Sequence, residues 1–320
     1  MKRSPLPPAG YVSPVFMKTN ASNLNSRLLR GALLGNAAFS LTSGTAFVAF
    51  PAAIAAAVGP EIAPVIVAAV GMVLLPFGGF VAWLGSRTKP TPWVALGVSL
   101  ADLGWVGGSA VLLAFAHVQL TSSGVALVIA VSLAVGGFAV GQLRGIARVY
   151  ADPADAARFR VCVDVRSDGD AAILWENIAN FGEIARFAPM LASSRMRDDA
   201  QPGVGAVRDC ADHGARRWSE RCTVLDRARR EFEVEFLTRE PEFPFPLSAL
   251  KGGWIVQEAP EGAVVRIWWS GVSKWAVLAP VVPVLFAWQA QRQFPGMVRR
   301  LAGAPGTPGA MPRIFGVAPC

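Results

Sequence analysis

Residues 217–237 read RWSERCTVLDRARREFEVEFL, and this stretch decides the fold of the half of the chain around it. From Glu231 to Phe236, acids and apolar residues alternate strictly. Phe232, Val234 and Phe236 fall on one side, and Glu231, Glu233 and Glu235 on the other. A period of two belongs to a β-strand with one buried and one wetted face. Over Arg217–Leu225 the same parity puts Trp218, Glu220, Cys222 and Val224 on one face.

Working outward, Gly205–Ala211 forms a hairpin with Arg217–Leu225 around Asp212-His213-Gly214, and Leu191–Asp198 reads as a further strand. Upstream, Phe159, Val161, Val163 and Val165 alternate with polar residues as a half-buried strand. DAAILWENIANFGEIARF then follows from Asp170, with Leu174, Ile178 and Phe181 at helical spacing and Asp170 placed to cap it. Downstream, Gly252–Glu258 and Ala263–Ser270 make another hairpin around Pro260-Glu261-Gly262. A long helix follows from about Val281 to Leu301. One economical way to bury this order is an α+β helix-grip domain, a curved antiparallel sheet around a long C-terminal helix.

On that helix Ala287, Ala290, Phe294, Val298 and Leu301 share a face, and the two alanines are too small to fill the gap to the sheet. An apolar gap of this kind is a ligand pocket by default. Strand parity lines it with Val163, Arg208, Glu220, Phe232, Phe236, Trp254 and Trp269. Arg208 and Glu220 are either a matched buried pair serving as a polar anchor or a cross-strand ion pair at the surface, worth little. His213 with Asp209 or Asp212 hints at a general base, but nothing supplies a nucleophile or a third member, so no catalytic residue is assigned. The apolar segment between Trp275 and Trp288, AVLAPVVPVLFA, suits either a cavity lid or a membrane interface, where Trp is at home.

The segment from about Arg158 to Leu301 resembles the START-like (helix-grip) superfamily often called SRPBCC. It is most similar to the branch described as polyketide cyclase/dehydrase and lipid transport. The resemblance rests on Phe159–Val165 with Ile173-Leu174-Trp175 and Ile178, on Gly203–Arg208, and on Trp218 to Glu220. Asp226 with Arg229 and Arg230, then Gly252-Gly253-Trp254, complete it. It implies a cavity for a hydrophobic molecule such as a lipid, polyketide or isoprenoid, with Arg208 and Glu220 facing inward. Some members are cyclases or hydroxylase components, so the alternatives to a membrane-tethered binder or carrier are a cyclase/dehydrase-type enzyme and a non-catalytic membrane interaction module with a filled core.

The first half reads differently. Between Arg30 and Arg144 the only charged residues are Glu61, Arg87, Lys89 and Asp102. Gly31–Val58, Ala63–Leu84, Trp93–Ala116 and Gly124–Val140 are each long and apolar enough to span a bilayer, and the breaks between them are short. The expectation is an all-α four-helix transmembrane bundle at 31–146. A disordered basic segment at 1–30 precedes it. A linker at 147–157, the α+β domain at 158–302 and a disordered tail at 303–320 follow.

Lys and Arg crowd the N-terminus, the loop after span two and the segment after span four, and are missing from the other two loops. The positive-inside rule then puts both termini and the α+β domain in the cytoplasm of a multi-pass protein, with a bacterial inner membrane as its setting. The ADLGWVGG stretch around Trp105 is loosely similar to small bacterial four-span proteins of unassigned function. The net charge of +8 gathers at the spans, +6 up to Arg144 and +2 beyond, which favours lipid headgroups and excludes nucleic acid as the partner.

Asp102 lies deep in span three, level with Ser40 and Ser43 of span one, which are expected to hydrogen-bond it. Gly137 to Gly141 forms a GxxxG, suited to packing within the bundle or to pairing of two chains. Two histidines and four cysteines without a CxxC give no metal site, and no cofactor is expected. Cys162, Cys210 and Cys222 read as small core residues of strands. A cytoplasmic setting disfavours a disulfide.

Overall fold

The computed structural model describes residues 26–115, 119–303 and 312–319. The expected disorder of 1–25, 304–311 and 320 lies outside them. The chain divides into two compact units at Val149/Tyr150.

The first unit is helical: α1 (Arg27–Ala49), α2 (Pro51–Val58), α3 (Pro64–Ser86), α4 (Pro92–Phe115) and α5 (Ser122–Val149). Four of them, all but α2, are long and apolar enough to cross a membrane. The first expected span is broken at Pro51, because proline lacks the N–H that a continuous helix needs there. It also starts before Gly31, at Arg27. The main packing runs α3–α1–α5–α4. Gly71, Gly78 and Gly85 of α3 let α1 approach closely, since a Cβ on any of them would press on α1. Gly137, Gly104, Gly107 and Gly108 meet nothing within 4 Å, so the GxxxG packs inside the bundle only through Gly141, where a Cβ would lie 3.2 Å from Ala32 Cβ of α1. Phe50, Val65, Met72, Val73, Phe115 and Leu133 are all more than 60% exposed, an outer surface that suits lipid.

The second unit begins without the expected linker. α5 runs on to Val149, and β1 (Ala151–Asp152) and β2 (Asp155–Ser167) follow at once. The helix continues past the apolar span because Gln142, Gly145 and Ile146 are buried and sustain its inner face. After β2 come α6 (Ala171–Ala179), capped by Asp170 Oδ1 on the amides of Ala172 and Ile173, and a 3-10 turn at Phe181–Arg186. Then follow β3 (Leu191–Met196), β4 (Val207–Asp212), β5 (Arg217–Asp226), β6 (Glu231–Phe236), β7 (Leu247–Ala259), β8 (Gly262–Ser273), the long helix α7 (Val281–Ala302) and β9 (Ile314–Pro319).

The strands form one antiparallel sheet in the order β1-β2-β8-β7-β6-β5-β4-β3, with β9 on β2. The tail is therefore not wholly disordered. Residues 314–319 pair with Val163–Ser167, which supplies the hydrogen bonds that the free edge of β2 would lack. β6 buries the expected face through Phe232 and Val234, but β5 departs from strict parity: a register shift after Cys222 places Val224 opposite Glu233, and Leu225, opposite Phe232, packs against the core in its stead.

The main core gathers Val163, Val165, Leu174, Ile178, Val265, Val298 and Leu301 between sheet, α6 and α7. A second cluster, Phe159, Val161, Leu247, Leu250 and Val282, lies toward the start of α7. Cys210 and Cys222 are buried free thiols. Cys162 departs from the expectation: its side chain is half-buried on the face opposite Val161 and Val163, and it is disulfide-bonded.

Candidate functional site

Between sheet and α7 lies a cavity of about 580 Å³. Its floor is built by sheet parity. Phe232 and Phe236 of β6, Trp254 of β7, and Ile267 and Trp269 of β8 point into it, and Ala290, Phe294 and Met297 of α7 cover it. Room for the tryptophan comes from the facing strand. Gly252 stands opposite Trp269, and a Cβ there would lie 3.2 Å from the indole Cδ1. Phe294 meets Trp254 and Trp269 at centroid distances of 5.5 and 5.0 Å, tilted and edge-on.

Of the seven expected lining residues, six are brought together: Arg208, Glu220, Phe232, Phe236, Trp254 and Trp269. Val163 is not among the lining residues. It shares their face, but it sits with Leu174, Val298 and Leu301 where helix and sheet close on each other, and it is 1% exposed. Ala290 lines the cavity, whereas Ala287 packs against the second core cluster.

The polar floor is a closed network. Arg208 Nε and Nη2 donate to Glu220 Oε2 at 2.9 and 2.5 Å, and Arg208 Nη1 donates to the Phe181 carbonyl at 2.7 Å. Trp218 Nε1 donates to the other carboxylate oxygen, Oε1, at 2.6 Å. Arg208 and Glu220 face each other across β4 and β5, and both are more than nine-tenths buried. Burial works against the charge of Arg208. The Glu220 carboxylate beside it outweighs that, so the guanidinium pKa stands above its ordinary value. The Phe181 and Phe232 rings, 5.0 Å apart, lie within 6 Å of the guanidinium. Trp218, on the Glu220 face by parity, and Phe294, on the covering face of the helix, line the cavity too, and Phe181 is the main residue that the sequence pattern did not bring to the site. Phe181 acts through a carbonyl in a 3-10 turn, which no side-chain pattern reports.

Exposed lining residues mark where the cavity meets solvent. They are His213, Gly214 and Arg216 from the β4–β5 turn, and Leu285 and Gln289 from α7. Asp212 turns away from His213: its carboxylate accepts from the Gly214 and Arg216 amides and from Arg216 Nε. His213 Nε2 instead lies 3.1 Å from the Pro189 carbonyl oxygen. Asp209 binds Arg197 and Ser219 on the outer face.

The helical unit holds its own polar cluster. Asp102 Oδ2 accepts from Asn36 Nδ2 at 2.8 Å and from Gln142 Nε2 at 2.9 Å. Ser40 donates to Asn36 Oδ1, and Ser99 donates to Gln142 Oε1. The expected Asp102–Ser40 bond is thus replaced by one through Asn36, a turn away on α1. Ser43 is half-buried on α1 and forms none of these bonds. Carboxamides outcompete the hydroxyls because they reach further and carry two donors.

Comparison with known proteins bears on the second unit. Residues 158–303 match the family model described as "Polyketide cyclase / dehydrase and lipid transport". The search of curated proteins finds no match. Among solved structures, a crystal structure of Ara h 8.0201 is similar at 14% identity, over 45% of this chain and 95% of that one, with a TM-score of 0.37. The protein XoxI from Bacillus cereus is similar at 18% identity, over 45% and 92% of the two chains, with a TM-score of 0.35.

Proposed function

We propose that residues 158–302 bind a hydrophobic small molecule, of lipid, polyketide or isoprenoid type, and that the four long helices hold this binding domain at a membrane. The observation that carries the reading is the aromatic-lined cavity of about 580 Å³ under α7. Its volume falls in the range of small-molecule sites. The family match over the same residues supports it.

The closed Arg208–Glu220–Trp218 network refines the ligand's character. A free arginine would select an anionic group at the floor, but this one is neutralised by Glu220 and committed at Nε, Nη1 and Nη2. The apolar part of the ligand therefore sits deep, against Phe232, Trp254 and Phe294. Any polar end stays at the mouth near His213, Arg216 and Gln289. Affinity comes from buried apolar area, about 25 cal/mol per Å² before ordering costs.

Carriage is favoured over catalysis because the polar groups at the floor, Arg208, Glu220 and Trp218, are engaged with one another and with the Phe181 carbonyl. The charge asymmetry of the loops orients the domain to the cytoplasm.

The test is mass spectrometry of small molecules retained by the full chain in lipid nanodiscs, compared with Ala290→Phe, which fills the cavity from the helix side. A hydrophobic molecule retained by the native chain and lost from the variant is expected. Identical extracts from both would refute the reading.

A further inference from the structure

Four of the large apolar side chains exposed on the second unit fall within fourteen residues: Trp275 (55% exposed), Val277 (76%), Leu285 (54%) and Trp288 (48%). Trp275 and Val277 lie at the 3-10 turn Ala276–Leu278, which leads directly into α7. Leu285, Trp288 and Arg292 follow at helical spacing on the outer face of that helix. This patch adjoins the cavity mouth, for Leu285 is itself a lining residue and Gln289 is the next residue after Trp288.

The patch carries cations among its aromatics. Lys274 Nζ lies 5.7 Å from the Trp275 ring centroid, and the Arg292 guanidinium lies 4.4 Å from that of Trp288. From Arg266 to the end of the chain there are six basic residues and no acidic one. Trp beside Lys or Arg on an apolar surface is the composition of a membrane interface, where the ring sits at headgroup level and the cation meets anionic lipid.

We infer that Trp275, Val277, Leu285 and Trp288, flanked by Lys274 and Arg292, form a docking surface for an anionic lipid bilayer. A bilayer is the occupant the chain itself provides, because α5, long and apolar enough to span one, ends one residue before this unit begins. Docking places the cavity mouth against lipid, so a hydrophobic ligand passes between bilayer and cavity without crossing water. That consequence rests on the proposed function, whereas the docking itself does not.

The test uses the full chain in nanodiscs, with an environment-sensitive nitrobenzoxadiazole label on Val277→Cys, and on Val204→Cys as an equally exposed control (68%). With phosphatidylglycerol in the disc, the label at 277 is expected to shift to the blue and to lose most of its emission to doxyl-lipid quenchers. The label at 204 is expected to stay water-like. Lys274→Glu with Arg292→Glu should bring the quenching at 277 down toward the control. Two results overturn the inference: a label at 277 as wet as that at 204, or a label shielded from water but untouched by the lipid quencher, which would put protein on the patch. The readout needs no ligand, so an empty cavity leaves docking standing, and a wet patch leaves the cavity's ligand untouched.

Discussion

Replacing Arg208 by Met tests whether the floor of the cavity is the dry, closed network described. The substitution removes the two bonds to Glu220 and the bond to the Phe181 carbonyl. Glu220, with 5% of its side chain exposed, keeps only the Trp218 indole. Stripping one partner from a buried ion pair costs about 3–5 kcal/mol, a large part of the 5–15 kcal/mol that holds a typical domain. With a urea m-value of about 2 kcal/mol/M, the unfolding midpoint should fall by roughly 2 M. Arg208→Met combined with Glu220→Leu removes both charges and should recover most of that loss, because an apolar pair of similar size needs no desolvated partner. The assay is urea titration of the full chain in mild-detergent micelles, followed by tryptophan emission. A single variant whose midpoint moves by less than about 0.5 M would mean that water reaches the pair and the floor is open. A double variant no more stable than the single would refute the reasoning equally.

Other expectations follow from particular contacts. Asp102→Leu leaves the Asn36 and Gln142 amides without their shared acceptor and should cost about 1–2 kcal/mol, read as a lower melting temperature in detergent. Asp102→Asn keeps an acceptor oxygen and should lose less; equal losses would contradict the network. The hydrogen bonds from Arg197 hold the Asp209 carboxyl below its ordinary value. Its contribution is therefore whole above about pH 3.9 and is lost as pH falls through the lower folded value, and Asp209→Asn should flatten the acid limb of a stability–pH curve. Burial pushes the thiols of Cys210 and Cys222 up to about 12 and 11. Both should resist maleimide until urea unfolds the domain, and ready labelling of the folded chain would contradict their burial. A reporter fused after Leu301 should be active in the cytoplasm. The Cys162 disulfide suits an oxidising compartment instead, so a reporter active only outside, with Cys162 oxidised in cells, would overturn the orientation.

How much of this was legible in the sequence depended on whether a residue acts through its side chain's parity. Six lining residues were readable because a strand sends every second side chain to one face, as Phe232, Val234 and Phe236 illustrate. Parity gives the face but not the position along it. Val163 has the right face and lies where α7 closes on the sheet, so it fills core instead of lining space. Phe181 contributes a carbonyl, and β9 is a strand of Ile-Phe-Gly-Val-Ala-Pro whose partner is distant in sequence, so neither leaves a local pattern. Asp102 was visible as a lone acid in an apolar run. Gln142 was not, because the apolar run ends near Val140 while the helix goes on to Val149.

Photo-crosslinking would show whether a hydrophobic molecule occupies the space under α7. The full chain in nanodiscs would be irradiated with a diazirine-bearing fatty acid and digested, and the labelled peptides identified. Label is expected on peptides carrying Phe232 to Phe236, Trp254 and Phe294, and is expected to be lost from them in Ala290→Phe. Label confined to residues 27–149, with none on those three peptides, would contradict that occupancy.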